Sequence, residues 1–234
     1  MEKKKLLGII AAMDSEIKAL KGVILAEETE VISGIEFIRG KIKNTEVVIA
    51  KCGVGKVFAA VCTQTMIMRF KPDVIINIGV CGTLTDKLDL CDIVIGEKTV
   101  QYDMDTSAVG DPVGLISGIN KIYFECDDAL CDKLSGILKK ENINHIKGVI
   151  ATGDRFFNDA SLVKMVSENF GAVSGDMESG SIGHVCYINN VPYGILRCIT
   201  DKGDENSGAD YINSIDKATH VIFEVVMKLC EEGI

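Results

Sequence analysis

Short apolar runs alternate along the chain with segments in which apolar residues recur every three or four positions. The first run, Leu6–Met13, is followed from Asp14 by a segment that carries Ile17 and Leu20 on one helical face. Apolar runs of this length are typical of buried strands, and the wider spacing is typical of amphipathic helices. The alternation continues to the end of the chain and predicts an α/β fold.

The same pattern predicts the positions of the other elements. Strands are predicted at residues 31–40, 45–52, 73–80, 92–100, 121–126, 147–152, 172–177 and 193–200, the first two forming a hairpin around Lys43 and Asn44. Helices are predicted at residues 57–70, 127–140, 161–169, 178–187 and 211–231. Residues 103–120 form a long irregular stretch, and loops of that length are usually functional or disordered. Because no linker rich in Pro, Gly or Ser divides the chain, residues 1–234 are predicted to form a single domain.

Composition narrows the class of protein. Hydrophobic residues make up 47% of the 234 residues and charged residues 25%, which is a globular composition. The formal net charge is −9, whereas binding to nucleic acid or to an anionic membrane needs clustered positive charge. No apolar run approaches the ~18 residues that a membrane span requires. We therefore expect no nucleic-acid partner and no membrane association.

The cysteines and the N-terminus indicate the cellular compartment. Nine cysteines occur without a CxxC pair, and the three histidines are isolated, so zinc spacing is absent. Lys3-Lys4-Lys5 and the apolar run after it imitate a signal peptide, but Asp14 and Glu16 stand where small cleavage-site residues are needed. We expect a cytoplasmic protein with free thiols and no bound metal.

A broken glycine motif argues against a nucleotide cofactor. Gly53-Val-Gly55 follows a predicted strand, but Phe58 stands in place of the third glycine of a dinucleotide-binding loop. The same segment lacks the first glycine and the Ser/Thr of a phosphate-binding P-loop. It is better explained as a tight turn between strand and helix, so no cofactor is expected.

Three acidic residues stand where predicted strands end. Glu16, Glu178 and Asp201 each follow an apolar strand directly or within a few residues. Ligands of open α/β sheets bind at the carboxyl ends of strands, so these side chains are candidates for one shared crevice. The alternative for each is a carboxylate that stabilises the first turn of a helix.

Six blocks together resemble the 5′-methylthioadenosine/S-adenosylhomocysteine nucleosidases. They occur in the order and at the spacing of that family, from residue 6 to about residue 230, and six co-linear blocks are far more specific than one. The blocks are Gly8-Ile-Ile-Ala-Ala-Met-Asp-Ser-Glu16, Cys52-Gly-Val-Gly-Lys-Val57, Asp73-Val-Ile-Ile-Asn-Ile-Gly79, Ala151-Thr-Gly-Asp-Arg-Phe-Phe-Asn158, Asp176-Met-Glu178 and Arg197-Cys-Ile-Thr-Asp201.

The resemblance implies a fold and a partner. The fold is nucleoside-phosphorylase-like: a central mixed, twisted sheet, partly closed as a barrel and flanked by helices. The small-molecule partner is a purine nucleoside. The protein partner is a second copy of the chain, and the loop after Val100 is expected to reach into the neighbouring subunit's site.

The resemblance also implies a reaction, hydrolysis of the N-glycosidic bond of 5′-methylthioadenosine and/or S-adenosylhomocysteine. Asp201 matches the general acid that protonates purine N7, and Thr200 is placed to orient its carboxyl group. Glu16 matches the residue that binds and deprotonates the attacking water. Glu178 matches the carboxylate that accepts both ribose hydroxyls, which needs two acceptor oxygens.

Other matching positions complete the expected site. Met177 is expected to pack on the sugar, Phe156 to stack on the adenine, and the backbone of Phe157 to contact the edge of the base. The remaining positions are Gly82 as a substrate contact and Val80 and Arg197 as supporting residues.

The chain departs from the family pattern at three places. Gly79-Val80-Cys81-Gly82 replaces Gly-Ser-Ala-Gly, so a hydroxyl is lost near the expected water site. Asp176 stands where glutamate is usual. Arg155 lies within the base-recognition block, either facing solvent, as most arginines do, or contacting substrate. These differences bear on the substrate more than on the reaction.

Three other functions fit parts of the sequence. One is a nucleoside phosphorylase of the same fold, and another is a related nucleosidase that acts on futalosine or AMP. The third is a nucleoside-binding protein without activity. The presence of both Glu16 and Asp201 argues against the last, because a binding protein gains nothing from two desolvated acids.

Overall fold

The structure, a computed structural model, describes residues 5–234, so Lys3 and Lys4 of the basic start lie outside the described residues. Its strands are β1 (Leu6–Ala11), β2 (Leu25–Ile32), β3 (Ile35–Ile42), β4 (Thr45–Lys51), β5 (Val74–Thr83), β6 (Ile93–Gln101), β7 (Tyr123–Glu125), β8 (His145–Thr152), β9 (Ala172–Asp176) and β10 (Tyr193–Asp201). Its α-helices are α1 (Asp14–Val23), α2 (Lys56–Phe70), α3 (Asp128–Lys140), α4 (Ala160–Phe170), α5 (Ser179–Ile188) and α6 (Ser207–Glu232).

Across residues 5–234 the strands form one mixed sheet that closes on itself. The order is β10-β6-β8-β9-β5-β1-β4-β3-β2, and β7 pairs with β6. A further pairing joins β10 to β5 in parallel, with Tyr193 opposite Ile75 and Cys198 opposite Val80. This pairing closes β5, β9, β8, β6 and β10 into a five-stranded barrel, and the remaining strands extend from it as an open wall. The predicted mixed sheet, partly closed as a barrel and flanked by helices, is confirmed.

The sequence explains which elements lie at the centre. All residues of β1 and β10 are buried, and their near-continuous apolar runs are typical of parallel strands covered on both faces. Amphipathic helices cover the sheet: α3 turns Leu130, Leu134 and Leu138 inward. Asp127 caps that helix by accepting a hydrogen bond from the N–H of Leu130 at 2.8 Å. No helix within residues 5–234 is long and apolar enough to cross a membrane.

Three predictions were wrong in detail. The predicted hairpin is a three-stranded antiparallel unit, because β2 pairs with β3 along the sheet edge. The sequence of β2, LAEETEVI, shows no alternation of apolar and polar residues, because most of its side chains are exposed on both faces of the strand. Helix α6 begins at Ser207 instead of Tyr211. The sequence did not predict this first turn, because the side chain that the turn buries is the polar Ser207. Strand β7 is also shorter than predicted.

The topology brings several chain segments to one edge of the sheet. Strands β1, β5 and β10 are parallel neighbours, so their carboxyl ends meet. Helix α1 starts three residues after β1, and Asp201 is the last residue of β10. The end of β9 joins this edge because Gly175 pairs with Gly82 of β5. A crevice at this edge is where α/β sheets bind ligands.

Gly40 of β3 tests how the edge strand is attached. A Cβ atom at Gly40 would lie 2.2 Å from the carbonyl oxygen of Leu25 in β2, where the register shifts between Ala26 and Glu28. Because the obstacle is backbone, we expect Gly40→Ala to lower the free energy of unfolding in urea by about 1–3 kcal/mol. Gly22→Ala is the control, since a Cβ there would have no atom within 4 Å and α1 gains up to about 1 kcal/mol of helix propensity. Equal stability of the two variants would contradict this account.

Candidate active site

The three carboxylates predicted from the sequence line one cavity. Glu16, Glu178 and Asp201 all face a cavity of about 200 Å³ at the carboxyl edge of the sheet. The structure therefore brings together residues that are far apart in the chain, with 185 positions between Glu16 and Asp201. Met177, Val80, Gly82, Thr200, Phe156 and Phe157 line the same cavity.

The carboxylate of Glu16 is held by backbone N–H groups. Its Oε2 atom accepts hydrogen bonds from the N–H groups of Ala12 and Met13, both at 2.9 Å, and Oε1 accepts one from Val80 at 3.0 Å. Burial raises the pKa of Glu16 above its ordinary value, although the positive charge of Arg197 and these hydrogen bonds oppose the shift. A carboxylate fixed in this way can accept a proton without changing its position.

Asp201 has a different environment. Its Oδ1 atom accepts a hydrogen bond from the N–H of Gly203 at 3.1 Å, and the Thr200 hydroxyl lies 3.1 Å from Oδ2. Burial raises the pKa of Asp201, while these two donors pull it down. A Cβ at Gly82 would lie 2.7 Å from Asp201 Oδ1, so the glycine leaves room for the carboxyl group. A buried carboxyl group with a raised pKa can serve as a proton donor near neutral pH.

Glu178 lies directly before α5, and one of its oxygens has no close donor among residues 5–234. Oε1 accepts a hydrogen bond from the N–H of Gly55 at 2.9 Å, and Oε2 is 3.9 Å from Arg197 Nη2. Burial, followed by the negative charge of Asp176, raises the pKa of Glu178 to about 7. The side chain does not cap α5, so helix capping does not account for its position.

Arg197 lies behind the cavity and carries the positive charge of the site. Its guanidinium is buried among three carboxylates: it is hydrogen-bonded to Asp176 at 2.9 Å and also to Asn77, and it influences Glu16 and Glu178 electrostatically. Burial disfavours its charge, but the carboxylates raise its pKa overall. The Nη1 atom of Arg197 is buried, and it has no hydrogen-bond partner among the described residues.

The two neighbouring phenylalanines have different surroundings. Phe156 is 41% exposed at the mouth of the cavity, and its ring meets that of Tyr211 edge-on with 6.2 Å between centroids. The Phe157 ring is buried and packs against Tyr102 at 5.3 Å. Only the Phe156 face is therefore free to stack on a bound ring, and Phe157 reaches the cavity mainly through its backbone.

Sequence reasoning did not identify Tyr211, Met13 and Val54, which also line the cavity. Tyr211 stands in the second turn of α6, and its hydroxyl lies 3.2 Å from the sulfur of Met13. Tyr211 fits the apolar spacing of an ordinary amphipathic helix. The sequence pattern therefore did not distinguish this tyrosine from residues of the core. Arg155 lines the cavity as well, while its guanidinium lies 3.4 Å from Asp159.

Comparison with known proteins shows the family to which the chain belongs. The family model described as the phosphorylase superfamily matches residues 6–231. A 5′-methylthioadenosine/S-adenosylhomocysteine nucleosidase of Bacillus thuringiensis (strain Al Hakam) is 31% identical over 228 residues, which are 97% of this chain and 98% of the relative.

Solved structures match over nearly the whole chain. An aspartate-to-asparagine mutant of the Helicobacter pylori 5′-methylthioadenosine nucleosidase, with 5′-methylthioadenosine in its active site, has a TM-score of 0.94 and 28% identity, covering 98% of this chain and 100% of that one. Futalosine hydrolase of Helicobacter pylori strain 26695 has a TM-score of 0.93 and 28% identity, covering 97% of this chain and 98% of that one.

The barrel and its acid-lined cavity, together with the matching family model, define a phosphorylase-superfamily fold and site. Within that superfamily the chain belongs to the 5′-methylthioadenosine/S-adenosylhomocysteine nucleosidase family. The resemblance drawn from the six sequence blocks is thus confirmed, and the chain is an enzyme that hydrolyses glycosidic bonds.

The raised pKa of Glu178 predicts a pH-dependent stability. Between its ordinary pKa of 4.5 and about 7, this residue is ionised in the unfolded chain but protonated in the folded one. The folded state then binds more protons, so its stability falls as pH rises through this range. Urea unfolding at pH 4.5 and pH 7 should show wild type losing about 1–3 kcal/mol relative to Glu178→Gln. Parallel pH curves for the two proteins would contradict the burial of this carboxyl group.

Proposed function

We propose that this enzyme hydrolyses the N-glycosidic bond of 5′-methylthioadenosine and/or S-adenosylhomocysteine, releasing adenine and the thioribose product. The observation that carries the proposal is the placement of Glu16 and Asp201 in one cavity in different environments. Glu16 is held by three backbone donors, and Asp201 has a raised pKa beside a hydroxyl. Two carboxyl groups of this kind can act as base and acid on opposite sides of a bond.

Asp201 is the proposed general acid. When the bond to the sugar breaks, negative charge develops on the purine, and protonation of N7 removes it. The raised pKa of Asp201 keeps the proton available near neutral pH. The N–H of Gly203 and the hydroxyl of Thr200 lie close enough to stabilise the carboxylate that remains.

Glu16 is the proposed base for the attacking water, with Arg197 as its support. A Cβ at Gly79 would lie 2.6 Å from Glu16 Oε1 and 2.8 Å from Arg197 Nη1, so both atoms face the space above this glycine. Nη1 is the buried donor without a partner in the described structure. A water in this space can donate to Glu16 and accept from Arg197, which fixes the direction of its lone pair.

The remaining cavity residues are proposed to hold the nucleoside. Glu178 Oε2 is available to the ribose hydroxyls, because Gly55 occupies only Oε1. Met177 is proposed to pack on the sugar and Phe156 to stack on the adenine. Gly82 and the backbone of Phe157 border the place of the base, and Val80 supports Glu16 through its N–H group.

One alternative substrate has support of its own. The chain is as similar in fold to a futalosine hydrolase as to the nucleosidases, and Arg155 lines the cavity. An arginine at this position offers a donor to an anionic or carbonyl-bearing substituent. To distinguish these substrates, the enzyme is incubated with 5′-methylthioadenosine or with futalosine. Chromatography then shows whether adenine is released from the first or hypoxanthine from the second.

We also propose that the enzyme acts as a cytoplasmic homodimer. All nine cysteines are free thiols, which suits a reducing compartment. Val57, Phe58 and Val61 of α2 form an exposed apolar surface next to Val54 of the cavity wall. Such a patch is typical of a protein interface. The loop at residues 103–120 is proposed to reach the neighbouring subunit's site.

Replacing Asp201 tests the acid. We expect Asp201→Asn to lower kcat for adenine release by about 10²–10⁴-fold, because an amide has no carboxyl proton to give. Calorimetric binding of 5′-methylthioadenosine should remain, and Asp204→Asn, in the loop that follows β10, should retain wild-type rates. A variant that keeps more than about a tenth of wild-type kcat would remove Asp201 from the mechanism.

Phosphate dependence separates hydrolysis from phosphorolysis. A phosphate dianion in the place of the water would lie beside Glu16, and like charges ~4 Å apart cost about 4 kcal/mol at an effective dielectric of ~20. The charge of Arg197 is already balanced by Asp176. Adenine release should therefore proceed in phosphate-free buffer and not increase when phosphate is added. Strong stimulation with a ribose-1-phosphate product would show a phosphorylase.

A charged residue on α2 tests the dimer. Val57 is 75% exposed, so Val57→Asp should leave the subunit folded but bury a charge in the proposed interface, converting the protein to a monomer in analytical ultracentrifugation. Leu25→Asp is the control, because Leu25 is 71% exposed on the edge strand β2. If wild type sediments as a monomer, the dimer proposal is wrong.

A further inference from the structure

Arg197 is bound unequally by the carboxylates around it. Its Nε and Nη2 atoms each lie 2.9 Å from Asp176 Oδ2, a direct two-point contact. Glu178 Oε2 is 3.9 Å from Nη2, which is too long for a hydrogen bond. Asp176 therefore holds a cation that Glu178 could otherwise bind.

Asp176 is itself fixed in place. Its Oδ1 atom accepts a hydrogen bond from the Thr152 hydroxyl at 2.5 Å and lies 3.3 Å from the N–H of Ser179. The Thr152 oxygen in turn accepts from the N–H of Gly180 at 2.7 Å. These contacts anchor the carboxylate to β8 and to the first turn of α5. On the far side of Arg197, Asn77 contacts Nη2 and donates to the carbonyl of Ile10 at 3.0 Å.

We propose that Asp176 is a positioning residue: by binding Arg197 it keeps the guanidinium out of hydrogen-bond distance of Glu178 Oε2 and directs Nη1 to the space beside Glu16. Glu178 then retains Oε2 as an acceptor for the sugar hydroxyls. Asp176 is not among the residues that line the cavity, so it acts on the site from behind, by holding Arg197 and by its negative charge near Glu178. The inference deepens the proposed function and rests on it.

The charge of Asp176 also affects the ionisation of Glu178. A negative neighbour raises the pKa of a carboxyl group, and the pKa of Glu178 is raised by burial and then by Asp176. The charged or titratable groups near Glu178 come from four segments: Asp176 at the end of β9, Arg197 on β10, Glu16 on α1 and Cys52 after β4. Removing the charge at position 176 should lower the pKa of Glu178, both directly and because Arg197 is freed to approach it.

Asp176→Asn tests the inference, since it keeps the size of the side chain and removes its charge. We expect the acid limb of the kcat/KM profile for adenine release from 5′-methylthioadenosine to move to lower pH by about one unit. We also expect KM to rise about tenfold, because Arg197 occupies the acceptor that the ribose hydroxyls need. A general loss of structure would lower the rate but would not move the acid limb.

Two further variants complete the test. Asp176→Glu restores the charge and should return the acid limb to that of wild type. Asp132→Asn, which breaks an exposed ion pair with Lys147, should match wild type in both quantities. An unchanged acid limb and KM in Asp176→Asn would overturn the inference. If Asp176→Asn does not fold, the test rests on Asp176→Glu. A folded Asp176→Glu variant whose acid limb is shifted by a full pH unit from that of wild type would also overturn the inference. An inactive wild type would instead refute the proposed function.

Discussion

The site depends on the burial of one guanidinium among carboxylates that would otherwise repel one another. Arg197 is fully buried on β10, and its charge is balanced first by Asp176 and then by Glu178 and Glu16. Removing one partner of such a pair typically costs about 3–5 kcal/mol, because the other is left as an unpaired buried charge. The cluster is therefore held together only while the barrel keeps these strands in register.

Closure of the barrel supplies that register. Arg197 lies opposite Gly79 where β10 pairs with β5, so the guanidinium reaches across a residue without a side chain. The same pairing brings Asp201 next to Gly82. Both contacts require glycine on β5, because a Cβ at Gly79 or Gly82 would lie less than 3 Å from the guanidinium of Arg197 or the carboxyl group of Asp201. Sheet closure and site chemistry are thus two consequences of one strand pairing.

Glu16 and Asp201, the proposed base and acid, have different surroundings in the cavity. Burial raises the pKa of both carboxyl groups, but at Glu16 the charge of Arg197 and three backbone N–H groups oppose that shift, whereas at Asp201 only uncharged donors do. Identical chemical groups can therefore act as base and acid, because desolvation favours the protonated form while cations and hydrogen-bond donors favour the ionised one. The departure at Val80 leaves this arrangement intact, since its N–H group, not its side chain, contacts Glu16.

Local pattern was enough to predict most of the elements and, with the six blocks, the three acidic residues of the site. Buried strands such as β1 and amphipathic helices such as α3 bury a periodic set of apolar side chains, and that period is visible in the sequence. The exposed edge strand β2 and the first turn of α6 bury too few apolar side chains to show a period in the sequence. Only the three-dimensional structure revealed them. The placement of Tyr211 in the cavity wall and of Asp176 beside Arg197 was decided by the tertiary structure for a related reason: the contacts of Tyr211 with Met13 and of Asp176 with Arg197 join residues on different segments of the chain. The sequence determined which side chains are present and where strands end, whereas the register of a closed sheet decided which charges meet, because electrostatic effects depend on distance in space.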